Sequence, residues 1–317
     1  MPQRELDELV SWFDSFETAT QDARQKAERD RDYYDGKQWT DAEAAELSKR
    51  GQPRITMNRI APKVDFVMGM EMQSRTDPRA FPRNPGHDAR AAEAATDAIR
   101  YIVDNNDFDQ EVSRAGSNLL IEGTCAGEVL VEMSPRGEPE ILMRHVPWDR
   151  VFYDPRSRFE DFSDAKYYGL VLWMDLDDAM ALYPESADAL EASRHAEQSL
   201  SETFEDRPRG GDWFEGRGDR SRVKICQIWY RDEMGPGRPA GVYTATYTKG
   251  GFLAEPELSP YVDEDGIPVP SLILQSGKID RENNRYGYLR HYISQHEQLL
   301  KRRSYALHTT HGRRRIP

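Results

Sequence analysis

Only two cysteines, Cys125 and Cys226, occur in 317 residues. That excludes a disulfide framework and a zinc-ligand cluster, and it fits a reducing compartment. No run of eighteen apolar residues occurs, and the N-terminus MPQRELDELVSWF has neither a basic lead nor a sustained apolar core. Neither secretion nor a membrane span is therefore expected. The chain also lacks a Gly-x-x-x-x-Gly-Lys-Ser/Thr loop to cradle phosphates, so it is not an ATP-driven motor. Gly123-Thr-Cys-Ala-Gly127 lacks the lysine and reads as the small-residue start of a strand. Positive charge is short as well. Lys and Arg number 43 against 56 Asp and Glu, a net charge of −13. A dedicated nucleic-acid binder shows the reverse, because its affinity comes from neutralising phosphates.

What is present suits a globular protein with one large core or two smaller ones, since 38% of residues are hydrophobic and 31% charged. The densest punctuation lies in residues 33–78. Tyr33, Tyr34 and Trp39 form an aromatic knot around the turn Asp35-Gly36, and Thr40 with Glu43 makes a capping box that starts a helix. That helix is expected to end at Gly51, with Pro53 blocking continuation. Ile55 and Met57 give a short extended piece. Asn58 or Pro62 then starts a second helix carrying Ile60, Val64, Val67 and Met68 on one face, which closes on the polar run 73–78.

The first helix is expected over 4–34, with Leu6, Leu9, Val10, Phe13 and Phe16 at helical spacing. Its charged second half, QDARQKAERDRDYY, reads most simply as a solvated surface with pairs such as Arg24 and Glu28. After the proline-rich connector 77–88, a helix over 88–105 places Ala92, Ala95, Ile99, Ile102 and Val103 on one stripe, and another spans 110–122. The period then turns to alternation: strands at 127–133 and 140–146 flank the turn 134–137, and 148–155 is an irregular loop. A strand over 167–174, a helix over 176–182 begun by Asp175, and strands over 223–230, 241–247 and 272–274 follow. A proline-spaced stretch covers 255–270. Residues 186–222, poor in apolar side chains, read as a flexible insertion cut first by trypsin at Arg194, Arg207 or Arg217. The last helix, 288–308, is amphipathic through Leu289, Ile293, His296 and Leu300.

Three constellations invite a chemical reading. Asp149, Asp154, Asp161 and Asp164 offer the carboxylates a two-metal nuclease needs, but no strand-borne Glu-x-Lys follows them, and turn and cap roles explain them better. His308 and His311 at i, i+3 lack a third ligand placed by sequence. Cys125 has no paired histidine and reads as a buried small hydrophobe. No catalytic, cofactor or metal residue is assigned.

Eight pieces in one order carry a resemblance. They are Tyr34-Asp35-Gly36-x-Gln38-Trp39, Arg50-Gly51-Gln52-Pro53, Asn58-Arg59-Ile60-x-Pro62-Lys63-Val64, Gln73-x-Arg75-Thr76-Asp77, Asn106-Asp107-Phe108-Asp109, Asp149-Arg150-Val151-Phe152-Tyr153-Asp154-Pro155, Asp164-Ala165 and Lys301-Arg302-Arg303-Ser304-x-Ala306-Leu307-His308. Together they resemble the large portal proteins of short-tailed phages. The resemblance implies an α+β fold, a mixed helical and antiparallel β wing with the start of a long stem helix. It divides the chain into a helical and hairpin wing (1–185), the flexible insertion (186–222), a β-rich region (223–287) and a stem-like helix with a basic tail (288–317). Tyr34, Gly36, Trp39, Pro53, Asn58 and Pro62 become structural residues. Lys301, Arg302, Arg303, Arg313, Arg314 and Arg315 become contacts to a neighbouring subunit or to DNA.

The implied function is that of a structural virion protein with no reaction and no cofactor of its own, assembled in the host cytoplasm without a membrane. It would be a homo-oligomer, a dodecameric ring at the capsid vertex. Its partners would be terminase, scaffold and capsid protein, tail or adaptor proteins, and double-stranded DNA through weak non-specific contact. Portals that it resembles continue well beyond the Lys-Arg-Arg-Ser helix, so a truncated remnant is one alternative, and a head-completion or scaffold-binding adaptor is another.

Overall fold

The computed structural model describes residues 6–82, 88–193, 214–217, 220–233 and 239–313. Along the chain run helices α1 (Leu6–Tyr34), α2 (Asp41–Lys49), α3 (Ala61–Ser74), α4 (Ala89–Asn105) and α5 (Phe108–Ile121), then strands β1 (Thr124–Met133), β2 (Pro139–Val146), β3 (Val151–Tyr153) and β4 (Tyr167–Asp175). Helices α6 (Leu176–Leu182) and α7 (Ala187–Ala192) precede β5 (Phe214–Arg217), β6 (Arg220–Asp232), β7 (Gly241–Thr248), β8 (Gly251–Leu258) and β9 (Leu272–Ser276), and α8 (Arg290–Arg313) comes last. The fold is α+β, and β1–β2, β3–β4, β4–β6, β5–β6, β6–β7 and β7–β8 all pair antiparallel. No described helix is long and apolar enough to cross a membrane.

The chain forms two compact units, each built from segments far apart in sequence. Unit 1 comprises Met1–Arg24, Cys125–Gln275 and Ile279–Asn284, and unit 2 comprises Gln25–Thr124, Ser276–Lys278 and Arg285–Pro317.

Unit 1 is organised by a six-stranded sheet in the order β3-β4-β6-β7-β8, with β5 pairing onto β6, and by a three-stranded sheet β2-β1-β9. The aromatic and β-branched residues of β4, β6 and β7 suit a pleated, covered surface. The start of α1 covers it: Leu9, Phe13 and Phe16 are buried with Phe152, Tyr153 and Ile228. Phe13 meets Phe152 edge-on at 5.2 Å, and Trp12 stacks on Tyr167 at 4.8 Å. Two tyrosine hydroxyls fix the helix backbone, Tyr167 donating to the Trp12 carbonyl (2.9 Å) and Tyr247 to that of Leu9 (3.2 Å). Beneath the same helix Lys224 is buried, its Nζ 3.7 Å from Glu17 and 4.8 Å from the centre of the Phe13 ring.

Three elements differ from the sequence reading. The loop expected at 148–155 contains β3, whose three residues are all buried and complete the sheet edge beside β4. The proline-spaced stretch begins inside β8. Pro256 is accommodated there because β8 is the outer strand, where the missing N–H breaks no ladder. The expected flexible insertion narrows at both ends. Residues 187–192 form α7, whose Leu190 is fully buried with Leu176, Ala179, Val223 and Leu253, and 214–217 pair with β6. Its remainder, with Arg194 and Arg207, lies outside the described residues.

Gly169 of β4 stands between Phe152 and Ile228 in register, and a Cβ there would sit 2.2 Å from the Gln227 carbonyl oxygen and 2.6 Å from the Phe152 ring. Gly169→Ala should therefore cost at least about 1–3 kcal/mol of overpacking strain. By contrast Gly69 of α3 has open space around it, so Gly69→Ala should gain up to about 1 kcal/mol of helix propensity. Denaturant midpoints of the two variants check this, and equal midpoints would contradict the packing described.

Candidate functional site

Unit 2 is built on the second half of α1. Leu9, Phe13, Phe16, Thr20, Ala23, Ala27 and Asp30 are all buried, a four-three spacing carried through the helix. The charged half is thus not the solvated surface expected. Its alanines are small, and its charged side chains either point away from the stripe or are paired within it.

Tyr33 closes that stripe. Its ring is 1% exposed and packs with Ile60, Val64, Ile121 and Leu289. Its hydroxyl donates to Glu297 Oε1 of α8 at 2.6 Å, and the Arg29 guanidinium lies 4.5 Å over the ring. The chain leaves α1 through Gly36, whose φ of +88° suits a residue without Cβ. Thr40 and Glu43 then form the reciprocal capping box that starts α2.

Asn58 ties the return. Its Nδ2 donates to the Tyr34 carbonyl (2.7 Å), while its Oδ1 accepts from the Ile60 and Ala61 N–H groups, opening α3 with Pro62 in the first turn. Tyr34 donates to Asp65, and the Trp39 indole to the Ile55 carbonyl. The Pro53 carbonyl accepts from Ser304 of α8 at 2.7 Å. At the far end of α3, Arg75 pairs with Glu71 and donates to Ser113 of α5 and the Asp109 carbonyl. Tyr34, Gly36, Trp39, Pro53, Asn58 and Pro62 all lie within this one connected arrangement.

Two carboxylates are buried inside unit 2. Asp30 lies 3.7 Å from Arg290, and Glu122 accepts from Arg31 at 2.5 Å and from Asn118 at 3.1 Å. Burial pushes each carboxyl up to about 7, against the pull of its arginine. Burial pushes the His296 imidazole down, helped by Arg59 and Lys63.

A cleft of about 590 Å³ opens beside the knot, lined by Arg29, Lys37, Gln38, Trp39, Arg54 and neighbouring residues. The sequence reading did not anticipate it. Its lining comes from residues 29–56, and the charged positions among them carry no spacing that signals a shared site.

The basic residues of α8 are dispersed. Lys301 pairs with Glu43 of its own chain at 3.3 Å, Arg303 reaches the Met57 sulfur, and Arg302 is exposed. Arg313 ends the helix, and Arg314 and Arg315 lie outside the described residues. His308 Nδ1 lies 3.1 Å from the Gly51 carbonyl oxygen, and the His311 side chain is outside the described residues. Among the described residues no three His, Cys, Asp or Glu side chains converge to hold a metal.

Three of the four loop aspartates behave as turn formers. Asp154 accepts from the Arg156 and Lys166 N–H groups, Asp161 from Ser163, and Asp164 from Ser157, Arg158 and Phe159. Burial pushes the Asp164 carboxyl up, but those hydrogen bonds outweigh it and hold it below the usual range. Asp149 is buried in the short turn before β3. Cys125 is half-buried rather than buried, and burial pushes its thiol up to about 11, away from thiolate reactivity.

Most of the hydroxyls, amides and charged groups named above hold helices and turns together. The family described as Phage P22-like portal protein matches residues 10–236. The chain belongs to that family. No curated protein matches it. Membership makes it a structural virion component of a bacteriophage, from a family that assembles as oligomers with capsid and tail proteins. Seven of the eight pieces quoted above fall inside the match, and the Lys301 run falls outside it.

A carboxyl whose folded pKa is raised lends stability that is fully present below its unfolded value, near 4, and is lost as pH rises through about 7. Melting temperature should therefore rise as pH falls from 8 towards 6, before the depressed His296 begins to oppose it. Asp30→Asn and Glu122→Gln should each flatten that slope. Thermal melts across this range check it, and an unchanged slope in both variants would contradict the buried placement.

Proposed function

We propose that this chain forms the ring at one capsid vertex, through which double-stranded DNA is packaged and ejected and to which the tail attaches. The observation that carries the reading is the family match over residues 10–236. In this reading 1–185 form the helical and hairpin wing, 186–222 an insertion, 223–287 a β-rich region, and 288–317 the start of a stem helix with a basic tail. Tyr34, Gly36, Trp39, Pro53, Asn58 and Pro62 hold the amino-terminal part in shape for assembly. A closed ring needs head-to-tail contacts between two different surfaces of each copy, repeated by rotation. A dodecamer is the expected number.

The partners are terminase, which supplies the motor, scaffold and capsid protein at assembly, and tail or adaptor proteins afterwards. Tight phosphate binding would brake moving DNA, and a net charge of −13 supports weak contact instead. Lys301, Arg302, Arg303 and the 313–315 tail are the residues that touch a neighbouring subunit or DNA. Lys301 would exchange or share its bond to Glu43 in doing so. The chain has no reaction of its own in this role.

Electron microscopy of the purified chain over a range of concentrations tests the reading. Rings with a central channel are expected. A chain that stays monomeric at every concentration and binds only when offered a preformed ring would point to an adaptor instead. Duplex binding should be weak and fall steeply with salt; sequence-specific, salt-resistant affinity would sink the assignment.

A further inference from the structure

The cleft beside the aromatic knot carries groups that the fold itself does not use. Gln38 lines it and is 2% exposed, yet neither its Nε2 nor its Oε1 has a hydrogen-bond partner among the described residues. A buried amide left unsatisfied costs about 1–3 kcal/mol, so such a group marks a place where a partner belongs. Arg54 is exposed on the same lining, and its guanidinium makes no ion pair or hydrogen bond among the described residues. Among the described residues Lys37 Nζ pairs with Asp32 alone, at 3.5 Å, with its side chain largely exposed. The Trp39 N–H is taken by the Ile55 carbonyl, which leaves the indole to offer apolar surface. Arg29, by contrast, is committed: it donates to the Lys37 and Gln38 carbonyls and to the Tyr33 hydroxyl, and so braces the wall.

We propose that this cleft binds a short acidic peptide segment. The Gln38 amide is enclosed in the cleft wall; once the wall opens to a bound peptide, its donor face and adjacent acceptor match the C=O and N–H of a peptide unit. A guanidinium fork matches a carboxylate in two parallel hydrogen bonds, and Lys37 adds a second cation near it. The peptide's methylene groups lie against the indole. The charge balance selects a peptide over a nucleic-acid strand. Asp32 and Asp41 also line the cleft, so Arg29, Lys37 and Arg54 leave only a small positive excess. That excess suits one or two carboxylates and would poorly hold a chain of phosphates. The proposal does not depend on ring formation, since all its residues lie within one unit of a single chain.

The test is fluorescence anisotropy of the full chain with a labelled peptide of alternating Glu and Gly, alongside an oligodeoxythymidylate of similar length and inorganic phosphate. The peptide should bind saturably, and the other two should neither match nor displace it. Arg54→Ala, at an exposed position, should weaken peptide binding by about tenfold or more with the melting temperature unchanged. Gln38→Met should also weaken binding while leaving the melting temperature equal or higher, because it removes an unsatisfied amide. Three results would overturn the proposal: no saturable peptide binding, binding that survives both substitutions, or equal binding of the oligonucleotide in competition with the peptide. A Gln38→Met variant that melts lower yet binds normally would do the same, since it would show that the amide already has an internal partner.

Discussion

Tyr33 is the residue on which unit 2 turns. It sits at the last turn of α1 with its ring among Ile60, Val64, Ile121 and Leu289, residues from α3, α5, the approach to α8 and the turn before α3. Its hydroxyl then reaches α8 itself through Glu297. One side chain thus supplies apolar burial to four segments and a charge-assisted hydrogen bond to a fifth, while Arg29 covers its face. The Gly36 turn, the α2 cap and the Asn58 clamp only have to return the chain to that ring.

A few charged side chains are enclosed, and each has an opposite charge beside it: Asp30 faces Arg290, Glu122 faces Arg31, and Glu17 and Lys224 face each other. Such pairs add little net stability, because desolvation offsets most of the attraction. They do penalise wrong alignments of α1, since a shift along the helix would leave a charge buried and unpaired. For a subunit of a larger assembly, a well-specified shape matters more than a large stability.

Local signals were legible where local chemistry decides the structure. The capping box of α2, the β1–β2 hairpin around residues 134–137, the β6–β7 pair and the α4 helix follow from caps, turns and periodicity, and each stands where the spacing places it. Elements decided by distant partners were not legible. β3 is too short to show alternation, and only its pairing with β4 makes it a strand. Pro256 argued against β8 because a sequence does not reveal which strand is outermost. The buried half of α1 was hidden by its charges, although Thr20, Ala23, Ala27 and Asp30 continue the spacing of Leu9, Phe13 and Phe16 and could have betrayed it. The motif Tyr34 to Trp39 pointed to the right neighbourhood for the cleft. What it could not show is that Gln38, between Lys37 and Trp39, would be the enclosed member.

The aromatic knot is anchored by Tyr33 and not by the half-buried Tyr34 or Trp39. Equilibrium unfolding of Tyr33→Ala against Trp39→Ala measures this directly. Losing a fully buried aromatic costs about 3–5 kcal/mol, and Tyr33→Ala should fall in that range with Trp39→Ala well below it. An equal or larger loss for Trp39→Ala, or a Tyr33→Ala chain that unfolds at the midpoint of the parent, would contradict the account.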